Sequence, residues 1–526
     1  MMLARVLIDG QWRDAAASGR FRALDPASGE ACAEEFPISS AADLEAALAA
    51  ASAAAPRLAA TAPEAIADFL ERYAAGIEAE AETLSALASR ETGLPAATRL
   101  AGNELPRTCN QLRLAAAAVR QRSWTQPVID TAAGLRSSLG PIGKPELVFG
   151  PNNFPLAFHA ISGSDFASAI AARNPVIAKG HPNHPGTGRA LAQIAHRAAA
   201  EAGLPAASIQ FVHHFESADG LALCGDPRLG AIGFTGSRQA GLALKAAADA
   251  AGIPFFGELS AINPVLMLPG ALAERGAALA EEYFGSCTLG SGQFCTNPGL
   301  LIVPGGGDGD AFVAAAAARF AAAAPALMFS EAVLAALEQG MATLRAAGAR
   351  LVAGAGERHG PGLRFTPSLL EVDAASFLAA PDALQTEVFG PVGLILRSPD
   401  EATTLRIIET LVGSLTGSIY SAASDQPQAA RLARALRPHV GRLIANRMPT
   451  GVAVSAAMNH GGPYPSTTSR SFTSVGMPAA IRRFAALQCW DHAPDAWLPD
   501  ELKDANPHRV WRLVDGTHGN AALERE

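Results

Sequence analysis

Between residues 147 and 234 short apolar runs alternate with helical stretches, and this alternation constrains the fold more than any other feature of the chain. Leu147-Val148-Phe149-Gly150, Pro175-Val176-Ile177-Ala178-Lys179, Ile209-Gln210-Phe211-Val212 and Leu229-Gly230-Ala231-Ile232-Gly233-Phe234 each read as a short buried strand. The first is followed by a Pro151-Asn152-Asn153 turn and a helical stretch to about Arg173. The last ends in Thr235-Gly236-Ser237 before another helix. Strands joined in this way by helices build a parallel sheet with helices on both faces, the doubly wound nucleotide-binding architecture.

The rest of the chain fits around that unit. Asp43-Leu44-Glu45 opens a helix that runs to Pro56, and a second helix after Pro63 carries Ile66, Phe69, Leu70 and Tyr73 at helical spacing. A Gly140-Pro141 turn predicts a bridging strand near 125–143, a second α/β set runs from about 262 to 465, and the stretch from Pro494 reads as a surface arm. At 526 residues, two or three domains are expected.

Composition narrows the class. Hydrophobic residues make up 49%, but much of that is alanine, and no apolar stretch of about 18 residues predicts a membrane span. The first ten residues lack the long apolar run of a secretory signal, because Asp9 and Gly10 interrupt it. Six cysteines without a paired framework predict reduced thiols and a cytoplasmic protein. A net charge of −8 disfavours nucleic acid as a partner.

Four segments carry chemistry. In Gly290-Ser291-Gly292-Gln293-Phe294-Cys295-Thr296 a cysteine flanked by small residues is open to close approach, although a lone cysteine is more often a buried structural thiol. Phe256-Gly257-Glu258-Leu259-Ser260 sets a carboxylate among apolar neighbours, which should raise its pKa towards that of a general base. Asn153 lies between a strand and a helix, where its amide can donate to an oxyanion or merely shape a turn. Thr386-Glu387-Val388-Phe389-Gly390-Pro391 supplies a further carboxylate with an aromatic beside it.

Taken together, in this order and at these separations, the four segments resemble the aldehyde dehydrogenase superfamily, over about residues 5–490. Asn152-Asn153-Phe154-Pro155-Leu156-Ala157-Phe158, Lys179-Gly180-His181-Pro182 and His460-Gly461-Gly462-Pro463-Tyr464-Pro465 are most similar to the branch of NADP-preferring fatty aldehyde and 2-oxoglutarate semialdehyde dehydrogenases. Thr468-Ser469-Arg470-Ser471-Phe472 departs from that branch.

The resemblance implies a Rossmann-like dinucleotide-binding domain (1–124 and 144–261), an α/β catalytic domain (262–465), a small β oligomerisation arm (125–143 and 466–505) and a surface tail (506–526). It implies oxidation of an aldehyde to its carboxylic acid through a thioester on Cys295. Asn153 and the Cys295 N–H would form the oxyanion hole, and Glu258 would activate water. Lys179, His181, Pro182, Gly236, Ser237, Glu387 and Phe389 would hold the cofactor. Phe154, Ala157, Ile161 and Phe294 would line the entrance to the thiol, and Arg447 would be available to a substrate carboxylate. An oxo-acid semialdehyde is the expected substrate, with a fatty or aromatic aldehyde as the alternative, and a homodimer or homotetramer is the expected assembly.

NADP is the expected cofactor, with NAD tolerated. NAD-preferring relatives carry a glutamate three residues beyond the lysine, where it repels a 2′-phosphate; Pro182 stands there in this chain. His213-His214 are expected to substitute in part for a missing arginine below about pH 6.5. No metal is expected: His181, His184, His213 and His214 have no third and fourth ligand at a supporting spacing. A CoA-acylating enzyme has no need of a hydrolytic base at Glu258, and an inactive relative has no need of the complete set.

Overall fold

The computed structural model describes residues 3–523; residues 1–2 and the last three of the expected tail lie outside them. Its first seven-stranded sheet runs in the order Phe255–Glu258, Ala231–Thr235, Glu146–Phe149, Val176–Lys179, Ile209–Val212, Val6–Ile8, Gln11–Arg13. The first five strands are parallel and the last two antiparallel. Leu147, Val148, Val176, Ile177 and Ile232 are fully or nearly fully buried, which is why these runs contain no alternating polar residues.

Glu146–Phe149 lies at the switch point of this sheet. The chain moves outward one way through Val176–Lys179 and Ile209–Val212, then returns to the other side through Ala231–Thr235 and Phe255–Glu258. Ligands of open α/β sheets bind beyond the carboxyl ends of strands at such a point. Asn153, Lys179, Gly236 and Glu258 all lie at or just past those ends.

The segment after Glu146–Phe149 differs from the expected helical stretch. Residues 151–163 are irregular, and helix is confined to Ser164–Ala171. Their backbone is held from outside: the Glu104 carboxylate accepts from the N–H groups of Leu156 and Ala157 at 2.8 and 3.0 Å, and Gln111 donates to the Ala157 carbonyl. A Cβ on Gly150 would lie 2.6 Å from the Ala160 nitrogen, so the segment folds directly back over that glycine.

A second seven-stranded sheet runs Arg350–Ala353, Ser368–Asp373, Val392–Ser398, Leu300–Pro304, Pro264–Met267, Ser414–Tyr420, Val440–Ala445, parallel throughout except at its first pair. Cys295 lies in the loop between the helix Pro269–Thr288 and the strand Leu300–Pro304. A third, five-stranded sheet pairs Leu135–Pro141 with Ala485–Asp491 and with Val128–Asp130. The expected surface tail is incorporated into this sheet: Arg512–Val514 pairs with Val128–Asp130, and Thr517–Gly519 follows it. Arg512 is buried there and donates to the carbonyls of Lys503 and Ala521, which anchors the segment. No helix among the described residues is long and apolar enough to cross a membrane.

Candidate active site

The Cys295 loop is shaped by a left-handed run, with φ of 56°, 60° and 69° at Gly290, Ser291 and Gly292. A Cβ on Gly292 would sit 2.1 Å from the Gly390 carbonyl oxygen, so only glycine lets the cysteine loop meet the Glu387–Gly390 loop. Beyond the turn, Asn263 donates to the carbonyls of Cys295 and Asn297 at 2.8 and 2.9 Å and fixes the backbone under the thiol.

Around Cys295 stand two of the other three expected catalytic segments and one residue to which the sequence assigns no role. The His460 Nε2 is 3.5 Å from Cys295 Sγ and 3.1 Å from Glu258 Oε2. Ser474 donates to the same carboxylate oxygen. Asn153, buried, donates from Nδ2 to the carbonyl of Gln293 at 3.0 Å, two residues before the cysteine. His460 belongs to the Gly-Gly-Pro segment noted above, but nothing in its spacing from Cys295, 165 residues away, marks it as a partner.

Electrostatically the group is coupled. Burial pushes the Cys295 thiol well up, and the charge of Glu258 adds to the effect. Apolar neighbours were expected to raise Glu258 as well. Burial does press it upward, but its pairing with His460 and hydrogen bonds from His460, Cys295 and Ser474 outweigh that and leave it lowered. The Nε2 atom cannot donate to Glu258 and accept from the thiol at once, so one proton is distributed over three groups. Their ligating atoms lie within 4.8 Å of one another, a thiol, imidazole and carboxylate set of the kind that holds zinc. A metal there would occupy the sulfur and nitrogen lone pairs that nucleophilic chemistry needs, so the arrangement suits proton transfer better.

The wall leading to the thiol is aromatic. Phe154 packs edge-on to Phe158 and Phe294 at 5.0 and 5.4 Å, and Phe158 lies 6.0 Å from the His460 ring. Of the other expected substrate residues, Ala157 is buried with its backbone held by Glu104 and Gln111. Ile161 packs into the helical core with Tyr73 and Phe166 rather than joining the phenylalanines. Arg447 is exposed. The guanidinium groups that do reach the aromatic wall are Arg99, 4.5 Å from the Phe154 ring, and Arg107, 4.9 Å from that of Phe158.

The expected cofactor residues are divided between the strand ends of the first sheet and the loop before Val392–Ser398 of the second. Lys179 is half-buried with its ammonium 5.8 Å from the Phe215 ring, and desolvation lowers it to about 8. His181 stacks on His184 at 4.9 Å, with Pro182 next in the chain, and burial holds both imidazoles neutral near pH 7. A Cβ on Gly236 would lie 2.8 Å from the Phe234 ring, which leaves backbone as the only surface there. Ser237 caps the helix Arg238–Ala250, accepting from the Ala240 N–H. That helix start, with its free N–H groups, suits a pyrophosphate. Glu387 accepts from the Ala261 N–H at 3.2 Å, and burial raises it to about 7. It lines a cleft with Phe389, Gly292 and Phe294. A half-buried ammonium, an open helix start and a carboxylate beside an aromatic fit a dinucleotide with phosphates and ribose hydroxyls. The expected pH-dependent help from His213 and His214 is not available: burial lowers them to about 3 and about 4, and His213 faces the Arg5 carbonyl.

Comparison with known proteins assigns the family. The model of the aldehyde dehydrogenase family matches residues 12–483. The chain is 40% identical to alpha-ketoglutaric semialdehyde dehydrogenase 2 of Azospirillum brasilense over 98% of this chain and 99% of that one. It is 39% identical to alpha-ketoglutaric semialdehyde dehydrogenase of Acinetobacter baylyi over 86% of each. Among solved structures, a mutant of aldehyde dehydrogenase C from Pseudomonas syringae, complexed with NAD+ and octanal, superposes with a TM-score of 0.79 at 21% identity, covering 93% of this chain and 97% of that one. This chain therefore belongs to the aldehyde dehydrogenase family, enzymes that oxidise aldehydes with a nicotinamide cofactor.

Proposed function

We propose that the enzyme oxidises an oxo-acid semialdehyde, of the 2-oxoglutarate semialdehyde type, to the dicarboxylic acid through a thioester on Cys295, with NADP preferred over NAD. The observation that carries the mechanism is the single His460 Nε2 between the Cys295 thiol and the Glu258 carboxylate, at 3.5 and 3.1 Å. The substrate class rests on the names of the two relatives at 40% and 39% identity.

The thiol proton passes to His460, whose imidazolium Glu258 stabilises, and the thiolate adds to the aldehyde carbon. Asn153 has a second amide hydrogen besides the one given to Gln293, and with the Cys295 backbone N–H it receives the oxyanion. A bound nicotinamide cofactor would supply the hydride acceptor needed for the thioester to form. Glu258, with His460 beside it, then takes a proton from water as that water attacks the thioester. The acid departs and the thiol regains its proton. Lys179, His181, Gly236 and Ser237 hold the phosphates and adenosine end; Glu387 and Phe389 hold the nicotinamide ribose and ring. Preference for NADP follows from Pro182 in place of a repelling carboxylate and from the ammonium of Lys179.

A fatty or aromatic aldehyde is the second reading, favoured by the ring of Phe154, Phe158 and Phe294. A homo-oligomer accords with Ala485–Asp491 being an edge strand that carries Leu487 at 74% exposure. A cytoplasmic setting accords with six free cysteines. The deciding experiment compares kcat/KM for 2-oxoglutarate semialdehyde, pentanal and benzaldehyde, each with NADP and NAD. The reading expects the carboxylated aldehyde with NADP to lead; pentanal or benzaldehyde ahead of it would overturn the substrate class. A tenfold advantage for NAD would overturn the cofactor preference.

A further inference from the structure

The aromatic wall contains more positive charge than it neutralises. Glu104, fully buried, spends one carboxylate oxygen on the N–H groups of Leu156 and Ala157 and the other on Arg99, at 2.6 Å. Arg99 also donates to the Asn153 carbonyl. Arg442, half-buried, gives its donors to the carbonyls of Pro449 and Gly451 and to the sulfur of Met458. Arg107 has no such arrangement. It lies in the first turn of the helix Leu105–Gln121, directly after a π-helical stretch, Ala96–Glu104, that carries Arg99. Its Nε and Nη2 are buried without a hydrogen-bond partner, and its contacts are the faces of Phe154 and Phe158 at 5.6 and 4.9 Å.

Charged donors left buried and unmet carry a desolvation cost that contacts with two ring faces do not fully offset. Such a group persists where a ligand completes it. Phe158 sits between Arg107 and the His460 ring, 4.9 Å from one and 6.0 Å from the other, and His460 touches the thiol. The guanidinium therefore faces the thiol site across the Phe158 ring. Its fork geometry matches a carboxylate in two parallel hydrogen bonds, which an aldehyde with an alkyl tail cannot supply.

We infer that Arg107 is the anchor for the distal carboxylate of the substrate and selects ω-semialdehydes of short carboxylic acids over uncharged aldehydes. This rests on the semialdehyde reading above and gives it a residue. Arg447, the sequence-based candidate for this role, is exposed, whereas Arg107 is unpaired inside the wall.

The test uses the intact enzyme and two aldehydes of equal length, glutarate semialdehyde and pentanal. The readout is the ratio of their kcat/KM values. In R107M this ratio should fall by about 30- to 100-fold, the worth of charge-assisted hydrogen bonds, with most of the loss in KM for the charged substrate. R107K, which keeps the charge but not the fork, should recover part of it. A ratio unmoved in R107M overturns the inference. Equal loss on both substrates overturns it too, because that is the signature of a wall residue with a purely structural role. Should R107M fail to fold, the wild type still decides: glutarate should protect Cys295 from iodoacetamide competitively, and pentanoamide at the same concentration should not. Equal protection by the two counts against Arg107. A wild type that prefers pentanal to glutarate semialdehyde instead removes the semialdehyde reading itself. A wild type that prefers the charged substrate while R107M keeps that preference removes only the Arg107 assignment.

Discussion

The two halves of the active site prepare their ionisable groups in different ways. On the cofactor side, Lys179 and Glu387 are moved by burial first of all, the ammonium down to about 8 and the carboxyl up to about 7. Around the thiol, Glu258 is moved by burial and then by His460 and Cys295, and Cys295 by burial and then by Glu258. In the proposed mechanism the first half holds groups whose charge is completed by a ligand that arrives from outside. The second already holds its proton donor and acceptors in contact. A dinucleotide enters and leaves every turnover, so its cradle has to tolerate both states, whereas proton transfer demands partners fixed before substrate arrives.

Removing the sulfur separates the halves most sharply. Cys295→Ala should lower aldehyde oxidation by about 10⁴-fold or more while cofactor binding, followed by fluorescence titration, stays close to that of the wild type. Comparable losses in both would mean that the halves are not independent. His460→Gln strikes the coupling within the thiol half. Turnover should fall by about 10²- to 10⁴-fold, and alkylation of Cys295 by iodoacetamide near pH 7 should slow to the rate of an ordinary buried thiol. Unchanged alkylation in that variant would remove His460 from the proton path. Asn153→Ala should cost about 10²- to 10³-fold in kcat, and a loss below about threefold would leave the backbone donors sufficient by themselves.

The smallest effect concerns the cofactor half. Lys179 loses its charge as pH rises through about 8, and a bound 2′-phosphate favours the charged form, so in the complex the loss comes somewhat higher. The kcat/KM advantage of NADP over NAD should therefore decline, by about three- to tenfold, between pH 7 and pH 9.5. It should be flat from pH 6 to 7, because His213 and His214 are already neutral there. A decline confined to pH 6–7 would return the role to the histidines.

Much of this frame was legible in sequence because it depends on local pattern. The strand ends that carry Lys179, Gly236 and Glu258 are marked by apolar runs that stop at small or charged residues, and such runs are buried whatever surrounds them. What escaped depends on distant contacts. His460 approaches Cys295 only because the segment Gly462–Thr468 crosses to pair with the Glu258 strand, through the Glu258–Thr467 bridge and the Leu259–Ser466 hydrogen bond. Arg107 escaped for a related reason. Its lack of a partner is decided by Glu104 being committed to Arg99 and to the 156–157 backbone, which no spacing of residues reveals. The C-terminal strand Arg512–Val514 was hidden among charged residues, since it is its place beside Val128–Asp130 and not its composition that makes it a strand.

The central claim is that aldehyde carbon becomes covalently bound to Cys295 and is released by a base at Glu258. Glu258→Gln removes the base and leaves the nucleophile. Mixed with NADP and 2-oxoglutarate semialdehyde and quenched in acid within the first turnovers, this variant should release a burst of NADPH and then slow. Its intact mass should rise by one acyl group per chain, mapped to Cys295 by peptide digestion. Continued NADPH production with an unmodified chain mass would contradict the account.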